Sequence, residues 1–336
     1  FKTIEMKRTR LFSWLCPLAA TAATNGNIRP DGGDRRELVF DKQSYPRDYM
    51  ILEYATINSK VLSLAKRYPN WLKVTTAQEE YGLPRAGNED DCLFDEGGPG
   101  CLNYILTVQD FTLYPEGSEG SNRLPEVFWS GALHGDERVG PTSVTEAVTL
   151  LVEAAYCESL PSVRPMTSNY AAEFREAVDC RNTFQQHGIS DIQRQWLARL
   201  ARTRRLVMMP SPNSLGYSRK QRAEGNVDAN RDFPFDNLSP QDCMQTIAAR
   251  SINEVFREHM FQLALTFHGG TEVIGYEWGA PSYLDAASPD DEAQRQIAQA
   301  YSQFAGSFES VPPYAYGDMN TMVYYVRGGM EDWAYA

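Results

Sequence analysis

Residues 126–137 read EVFWSGALHGDE, and this stretch decides the fold class because a strand pattern runs directly into a polar turn. The apolar residues of 126–133 predict a buried strand. Other strand-type runs alternate with helical patterns: strands are predicted at 104–108, 206–209 and 262–267, and helices at 51–68, 141–156 and 240–260. Strands that alternate with helices are typical of an α/β fold, so we expect a mixed, largely parallel central sheet.

The composition is that of a globular protein and excludes some classes of function. The chain has 336 residues, of which 42% are hydrophobic and 23% charged, and its formal net charge is -12. Such an acidic chain lacks the positive field that nucleic-acid binding requires, so we expect no nucleic-acid partner. No apolar run is long enough to span a bilayer, so we predict no transmembrane segment.

The N-terminal residues have the pattern of a secretory signal peptide. Residues 6–23 read MKRTRLFSWLCPLAATAA, in which basic residues precede an apolar stretch that ends in small residues. We therefore predict a leader and signal peptide over residues 1–24 and a polar linker over residues 25–48. A disordered or helical N-terminal tail is the alternative interpretation.

Cysteine usage also indicates the secretory pathway. Cys92 and Cys101 bracket a polar, glycine-rich loop, and Cys157 and Cys180 flank an insert that contains proline and serine. We hypothesise that these form two disulfides, Cys92–Cys101 and Cys157–Cys180, with Cys243 left over. Spacing alone cannot fix disulfide connectivity, and reduced cysteines in a cytosolic protein are the alternative.

Two of the four histidines directly follow predicted strands, where sites form in open α/β sheets. They are His134 and His268, and Glu137 lies three positions after His134. Two histidines and a glutamate form a ligand set that leaves zinc one open position for water. Polar loop residues without a metal are the alternative. His187 and His259 are interpreted as structural.

Residues 210–235 read PSPNSLGYSRKQRAEGNVDANRDFPF and combine a basic cluster with a turn-rich Asn-Arg pair. Arginine presents a planar fork that pairs bidentately with carboxylates. Beside a zinc site, one arginine would grip a substrate carboxylate and another would polarise a carbonyl. Taken alone, the stretch is also compatible with a solvated basic loop.

Four motifs in a fixed order carry a family resemblance. They are His134-x-x-Glu137, VDANRDF at 227–233, FH at 267–268 and GGMEDWAY at 328–335. This series resembles the zinc metallocarboxypeptidases of the carboxypeptidase A/B and N/E group. The resemblance implies a catalytic domain over residues 49–336 with helices on both faces of the sheet. It also implies one zinc ion and hydrolysis of C-terminal peptide bonds, which releases single amino acids from peptide or protein C-termini.

The resemblance assigns metal and anchoring roles residue by residue. His134, Glu137 and His268 match the zinc ligands of the family. Asn230 and Arg231 match the pair that binds the terminal carboxylate of the substrate.

Three further roles follow from the same resemblance. Arg222 matches the arginine that stabilises the oxyanion, with Arg219 as its rival. Tyr324 matches the mobile tyrosine that closes over the C-terminal residue, with Tyr325 as its rival. Glu331 lies where the family lines the pocket for the C-terminal side chain. An acid there favours Lys or Arg, although this glutamate could instead make a structural hydrogen bond.

The general base of the family is a glutamate on a strand after the Asp-Trp-x-Tyr motif, and this chain stops at Ala336 before that position. Glu272 and Glu277 are poor substitutes, because the resemblance places neither there. We therefore expect a truncated member that binds but does not turn over. Two alternatives stay open: a zinc deacylase of small acyl amino acids, and a non-catalytic homologue that binds zinc and peptide.

Overall fold

The structure is a computed structural model that describes residues 50–93, 98–161, 171–305 and 312–336. Within these ranges the chain forms two compact units. The first runs from residue 50 to 270 and from 327 to 336, and the second from 271 to 326. The predicted signal peptide and linker lie outside the described residues. The boundary of the catalytic domain at residue 49 stays a prediction.

Five strands form the central sheet of the first unit. They are β1 (Leu72–Thr76), β2 (Tyr104–Val108), β3 (Glu126–Ser130), β4 (Arg205–Met209) and β5 (Phe261–Thr266), in the spatial order β1-β2-β4-β3-β5. β3 is parallel to both β4 and β5, whereas β2 is antiparallel to β1 and β4. Four strands therefore share one direction, and the predicted mixed, largely parallel sheet is confirmed.

Helices cover both faces of this sheet. In chain order, the helices of the first unit are α1 (Tyr54–Arg67), α2 (Ala77–Tyr81), α3 (Glu119–Asn122), α4 (Val139–Ser159), α5 (Ala171–Gln186), α6 (Asp191–Thr203), α7 (Ser214–Arg219), α8 (Ile247–Glu258) and α11 (Met330–Tyr335), and those of the second unit are α9 (Asp291–Ser302) and α10 (Met319–Met322). Successive side chains of a strand point to opposite faces. Accordingly, Leu206 and Met208 of β4 join a core cluster with α1 and α4. Val207 and Met209 join a second cluster with α8, so the predicted helices on both faces are confirmed.

The helix predicted over residues 240–260 is wrong at its start. Pro240–Asp242 forms a short 3-10 turn, and α8 begins only at Ile247. Two side chains fix this start, because they accept the backbone N–H groups that have no partner within a helix. Thr246 Oγ1 accepts from the N–H of Ala249 at 3.0 Å, and the carboxylate of Glu224 accepts from Ile247 at 2.6 Å.

The structure joins both of the predicted cysteine pairs. The Cα atoms of Cys92 and Cys101 lie 4.9 Å apart, and those of Cys157 and Cys180 lie 5.9 Å apart. The second disulfide connects α4 to α5. Cys243 lies outside both pairs.

The second unit contains a two-stranded parallel sheet. Its strands are β6 (Val273–Tyr276) and β7 (Ala315–Asp318), and α9 packs against both of them. The Asp318 side chain caps α10 by accepting the N–H of Thr321 at 2.9 Å. Across the described ranges, no helix is long and apolar enough to cross a membrane.

Candidate metal centre and substrate site

Adjacent parallel strands bring the two predicted histidine ligands together. β3 and β5 pair so that Ser130 lies opposite Thr266, and the N–H of Phe267 donates to the carbonyl of Ser130 at 2.9 Å. His134 and His268 follow these strands within a few residues. Because parallel strands end at the same edge of a sheet, both imidazoles lie at that edge although they are 134 residues apart.

Glu137 lies between the two imidazoles. Its Oε1 atom is 2.9 Å from Nδ1 of His134, and its Oε2 atom is 2.8 Å from Nδ1 of His268. The two Nδ1 atoms are 3.2 Å apart. One ligand atom from each residue lies within 4.8 Å of those of the other two, so the three side chains could hold one metal ion.

The donor set fits zinc. Two imidazole nitrogens and one carboxylate are common zinc ligands, and they leave a tetrahedral ion one open position. His134 is buried, Glu137 is partly buried and His268 is exposed, so the cluster opens towards solvent on the His268 side.

A carboxylate that sequence reasoning missed orients His134. Oδ1 of Asp228 lies 3.0 Å from Nε2 of His134, which leaves Nδ1 directed at Glu137. Ligating histidines usually bond a carboxylate through the other ring nitrogen, which fixes the ring. Asp228 precedes the predicted Asn230-Arg231 pair, so its place in the VDANRDF motif was the available signal.

The charged groups of the cluster shift one another's pKa values. Burial raises the pKa of Glu137 and of Asp228, but their imidazole partners outweigh it and hold both pKa values well below the usual range. Burial lowers the pKa of His134, yet the carboxylates of Asp228 and Glu137 raise it overall. A metal ion would take the place of the proton that these carboxylates favour on the imidazole.

The structure separates the two candidate oxyanion arginines. Nη1 of Arg222 lies 3.2 Å from Oε1 of Glu137, and its Nε donates to Oδ2 of Asp228 at 2.9 Å. Arg219 instead forms a bidentate ion pair with Asp91, at 2.7 Å for each hydrogen bond. Arg222 is thus the arginine that contacts the cluster.

Asn230 connects the cluster to α11. Its backbone N–H donates to Asp228 at 2.9 Å, and its side-chain oxygen accepts the N–H of Met330 at 2.8 Å. Its Nδ2 atom lies 3.5 Å from Oε2 of Glu331. Arg231 donates to the carbonyl of Asn230 at 2.6 Å. The predicted anchoring pair and Glu331 are therefore neighbours.

The remaining predicted residues divide between the two units. Tyr324 and its rival Tyr325 belong to the second unit, and these residues are 52% and 61% exposed. Glu277 also lies in that unit, where it accepts from Gln294. His259 ends α8 and contacts Glu126, at the end of β3 opposite the cluster.

Comparison with known proteins shows which proteins this chain is similar to. A profile described as zinc carboxypeptidase matches residues 192–336. Carboxypeptidase D of Mus musculus is 32% identical over 259 residues, which is 69% of this chain and 16% of that protein. Carboxypeptidase SOL1 of Arabidopsis thaliana is 33% identical over 137 residues, which is 39% of this chain and 28% of that protein. The chain thus spans less than a third of either relative.

Solved structures agree in fold. The crystal structure of carboxypeptidase A from Helicoverpa armigera has a TM-score of 0.53 and 17% identity, and covers 97% of this chain and 68% of its own. The structure of bovine thrombin-activatable fibrinolysis inhibitor in complex with tick carboxypeptidase inhibitor has a TM-score of 0.50 and 14% identity. The match covers 85% of this chain and 82% of that chain. At these identities the likeness shows the fold alone. The profile match shows that residues 192–336 belong to the zinc carboxypeptidase family.

Proposed function

We propose that this protein is a zinc-dependent carboxypeptidase that removes single amino acids from peptide or protein C-termini. The observation that carries the proposal is the position of Asp228. One oxygen of its carboxylate holds the imidazole of His134 and accepts the backbone N–H of Asn230. The metal centre and the carboxylate anchor are therefore joined through one side chain.

His134, Glu137 and His268 would hold one zinc ion. When bound, zinc supplies an activated water at neutral pH and polarises the scissile carbonyl. The protein residues then have separate tasks. Asn230 and Arg231 bind the terminal carboxylate and so align the last peptide bond, and Arg222 donates to the oxygen on which negative charge develops.

We propose that the preferred C-terminal residue is Lys or Arg. Oε1 of Glu331 is buried and has no hydrogen-bond partner among the described residues. Its Oε2 atom has only a long contact, 3.5 Å, with Asn230. A buried carboxylate oxygen without a partner is costly, so a cationic side chain that reached it would gain a charge-assisted hydrogen bond.

Two parts of the proposal rest on other grounds. The closing role of Tyr324 follows from the resemblance. Passage through the secretory pathway is supported by the two disulfides, which persist in oxidising compartments.

Zinc content and product analysis test the function together. The purified protein should hold one zinc per chain, and His134→Ala should hold none, whereas His187→Ala should retain it. Because this chain is expected to bind without turnover, the full-length gene product is loaded with zinc and incubated with a blocked dipeptide that ends in lysine, with its C-terminal amide, and with acylated amino acids. Release of free lysine from the acid alone supports the proposal.

The other outcomes point to the rival functions. Release of acyl groups from acylated amino acids would indicate a deacylase. Binding of the free-acid dipeptide without any release would indicate a non-catalytic homologue. Stoichiometric zinc in His134→Ala would overturn the ligand assignment.

A further inference from the structure

A short segment far from the metal centre in sequence is anchored against α7. The segment comprises residues 86–92, and both of its ends are joined to Cys101. Ala86 and Cys101 exchange two backbone hydrogen bonds, of 3.1 and 2.7 Å, and Cys92 forms a disulfide with the same residue. Because Cys101 is fully buried, the segment has a fixed base in the core.

The segment directs one carboxylate at the end of α7. Oδ1 and Oδ2 of Asp91 accept from Nε and Nη2 of Arg219, each at 2.7 Å, and Oδ2 also accepts the N–H of Asn88 at 2.8 Å. Burial raises the pKa of Asp91, but Arg219 and Asn88 outweigh it and lower the pKa overall. The pair is bidentate and its acid is 8% exposed, so it differs from a loose surface ion pair.

A glycine allows the close approach that this pair requires. Gly87 has a φ of +96°, and a Cβ at this position would lie 2.5 Å from Oδ2 of Asp91 and 2.8 Å from Cδ1 of Leu215. Leu215 is buried in α7. The backbone of the segment at Gly87 therefore lies against the side chain of Leu215 in α7, in addition to the ion pair.

Arg219 lies three residues before the arginine at the metal centre. The helix ends at Arg219, Lys220 adopts a left-handed conformation with a φ of 58°, and the chain then reaches Arg222. On the far side of this turn, the carbonyl of Arg222 accepts from Gly135 N at 3.1 Å and from Asn213 Nδ2 at 3.0 Å. The turn is thus held from two sides, by Asp91 and by the backbone next to His134.

We propose that Asp91 is a positioning residue for Arg222, acting through Arg219, and that the Cys92–Cys101 disulfide holds Asp91 in place. Within the part of the chain that the structure describes, the side-chain hydrogen bonds of Asp91 are with Arg219 and Asn88 and not with the zinc ligands or the anchoring pair, so its effect would be indirect. The inference rests on the proposed oxyanion role of Arg222. It extends that role by naming the residues that restrict where the guanidinium lies.

Two ligands of the zinc-loaded protein separate this role from general stability. A dipeptide phosphonate that ends in lysine mimics the tetrahedral intermediate and needs Arg222. Free lysine needs only the anchoring pair and Glu331. By calorimetry, we expect Asp91→Asn to weaken phosphonate binding about tenfold and to leave lysine binding unchanged. Lys73→Gln, which removes an exposed ion pair with Glu116, should change neither affinity.

A double-mutant cycle identifies the route of the effect. In an Arg222→Gln background, Asp91→Asn should cause no further loss of phosphonate affinity. Arg219→Lys keeps the charge but not the bidentate geometry, and should give a smaller loss. It also serves as the test variant if Asp91→Asn fails to fold.

The outcomes distinguish the inference from the function on which it rests. If Arg222→Gln weakens phosphonate binding while Asp91→Asn and Arg219→Lys do not, the inference alone is overturned. Equal losses for both ligands, or additive losses in the double variant, also overturn it. If Arg222→Gln itself has no effect, both the oxyanion role and the inference are overturned.

Discussion

Oδ1 of Asp228 lies 3.0 Å from Nε2 of His134, although 94 residues separate the two in sequence. We predict that Asp228→Ala weakens zinc binding by about 10- to 100-fold, because the imidazole loses the carboxylate that orients it and raises its basicity. Competition with a chromophoric chelator measures the change. Asp90→Ala, which alters an exposed carboxylate, should bind zinc like the wild type, and equal affinities for both variants would contradict the role of Asp228.

Arg231 is predicted to recognise the free carboxylate end of a peptide. Arg231→Ala should reduce affinity for a free-acid dipeptide by at least about tenfold, because a charge-assisted hydrogen bond is lost. Affinity for the matching C-terminal amide should change little. Arg257→Ala removes an exposed arginine that pairs with Glu254 on α8, and it serves as the control. The anchoring role fails if acid and amide lose affinity equally.

Glu331 is predicted to select the C-terminal side chain. Glu331→Gln should weaken ligands that end in lysine or arginine by about tenfold, while ligands that end in leucine keep their affinity. The substitution is nearly isosteric, so the long contact with Asn230 keeps its geometry. Inhibition constants for matched lysine and leucine ligands provide the measurement. An unchanged ratio of the two constants would assign Glu331 a purely structural role.

Glu126, at the opposite end of β3, is predicted to stabilise the fold above acidic pH. Burial raises its pKa, but hydrogen bonds from His259, Met260 and Arg205 outweigh burial and lower the pKa from 4.5 to about 2. A carboxylate with a lowered folded-state pKa stabilises the protein above pH 4.5, and this stability is lost as the pH falls towards 2. Glu126→Gln should therefore lower the free energy of unfolding by about 2 kcal/mol at pH 7.

The difference between Glu126→Gln and the wild type should shrink between pH 4.5 and 2, and urea unfolding at several pH values measures it. Glu119→Gln is the matched control, because Glu119 pairs with Arg123 at the exposed surface. That variant should change the free energy of unfolding by less than about 0.5 kcal/mol. A constant difference across the pH range would exclude ionisation of Glu126 as the cause.

The strongly apolar strands were predictable, whereas weakly patterned elements were not. Runs such as LVMM in β4 have both faces buried, so their residue types alone indicate a strand. β1, with the sequence LKVTT, was missed because its three central residues are only partly buried. α6 was missed as well, since its buried face includes Arg194, whose charge is paired with Glu158 at 2.8 Å. A local sequence pattern shows neither the strand that pairs with β1 nor the glutamate that pairs with Arg194.

The candidate site shows the same limit. The VDANRDF motif contains two aspartates, and sequence alone does not tell which one faces the metal centre. Asp228 contacts His134, whereas Asp232 accepts the N–H of Thr246 at 2.7 Å and so supports the start of α8. Arg219 and Arg222 were likewise indistinguishable until Asp91, 128 residues from Arg219, appeared as the partner of the first.

The pairing of β3 with β5 has a consequence for when the metal site forms during folding. His134 and Glu137 are close in sequence and can form a partial, weak metal site as soon as their turn exists. His268 joins them only when β5 has docked in the correct register, and a shift by one residue would reverse the face on which each side chain lies. Such long-range pairing is slow, because a large loop must close first. Tight zinc retention should therefore appear late in folding, and the rate at which zinc becomes resistant to a chelator would report the docking of β5.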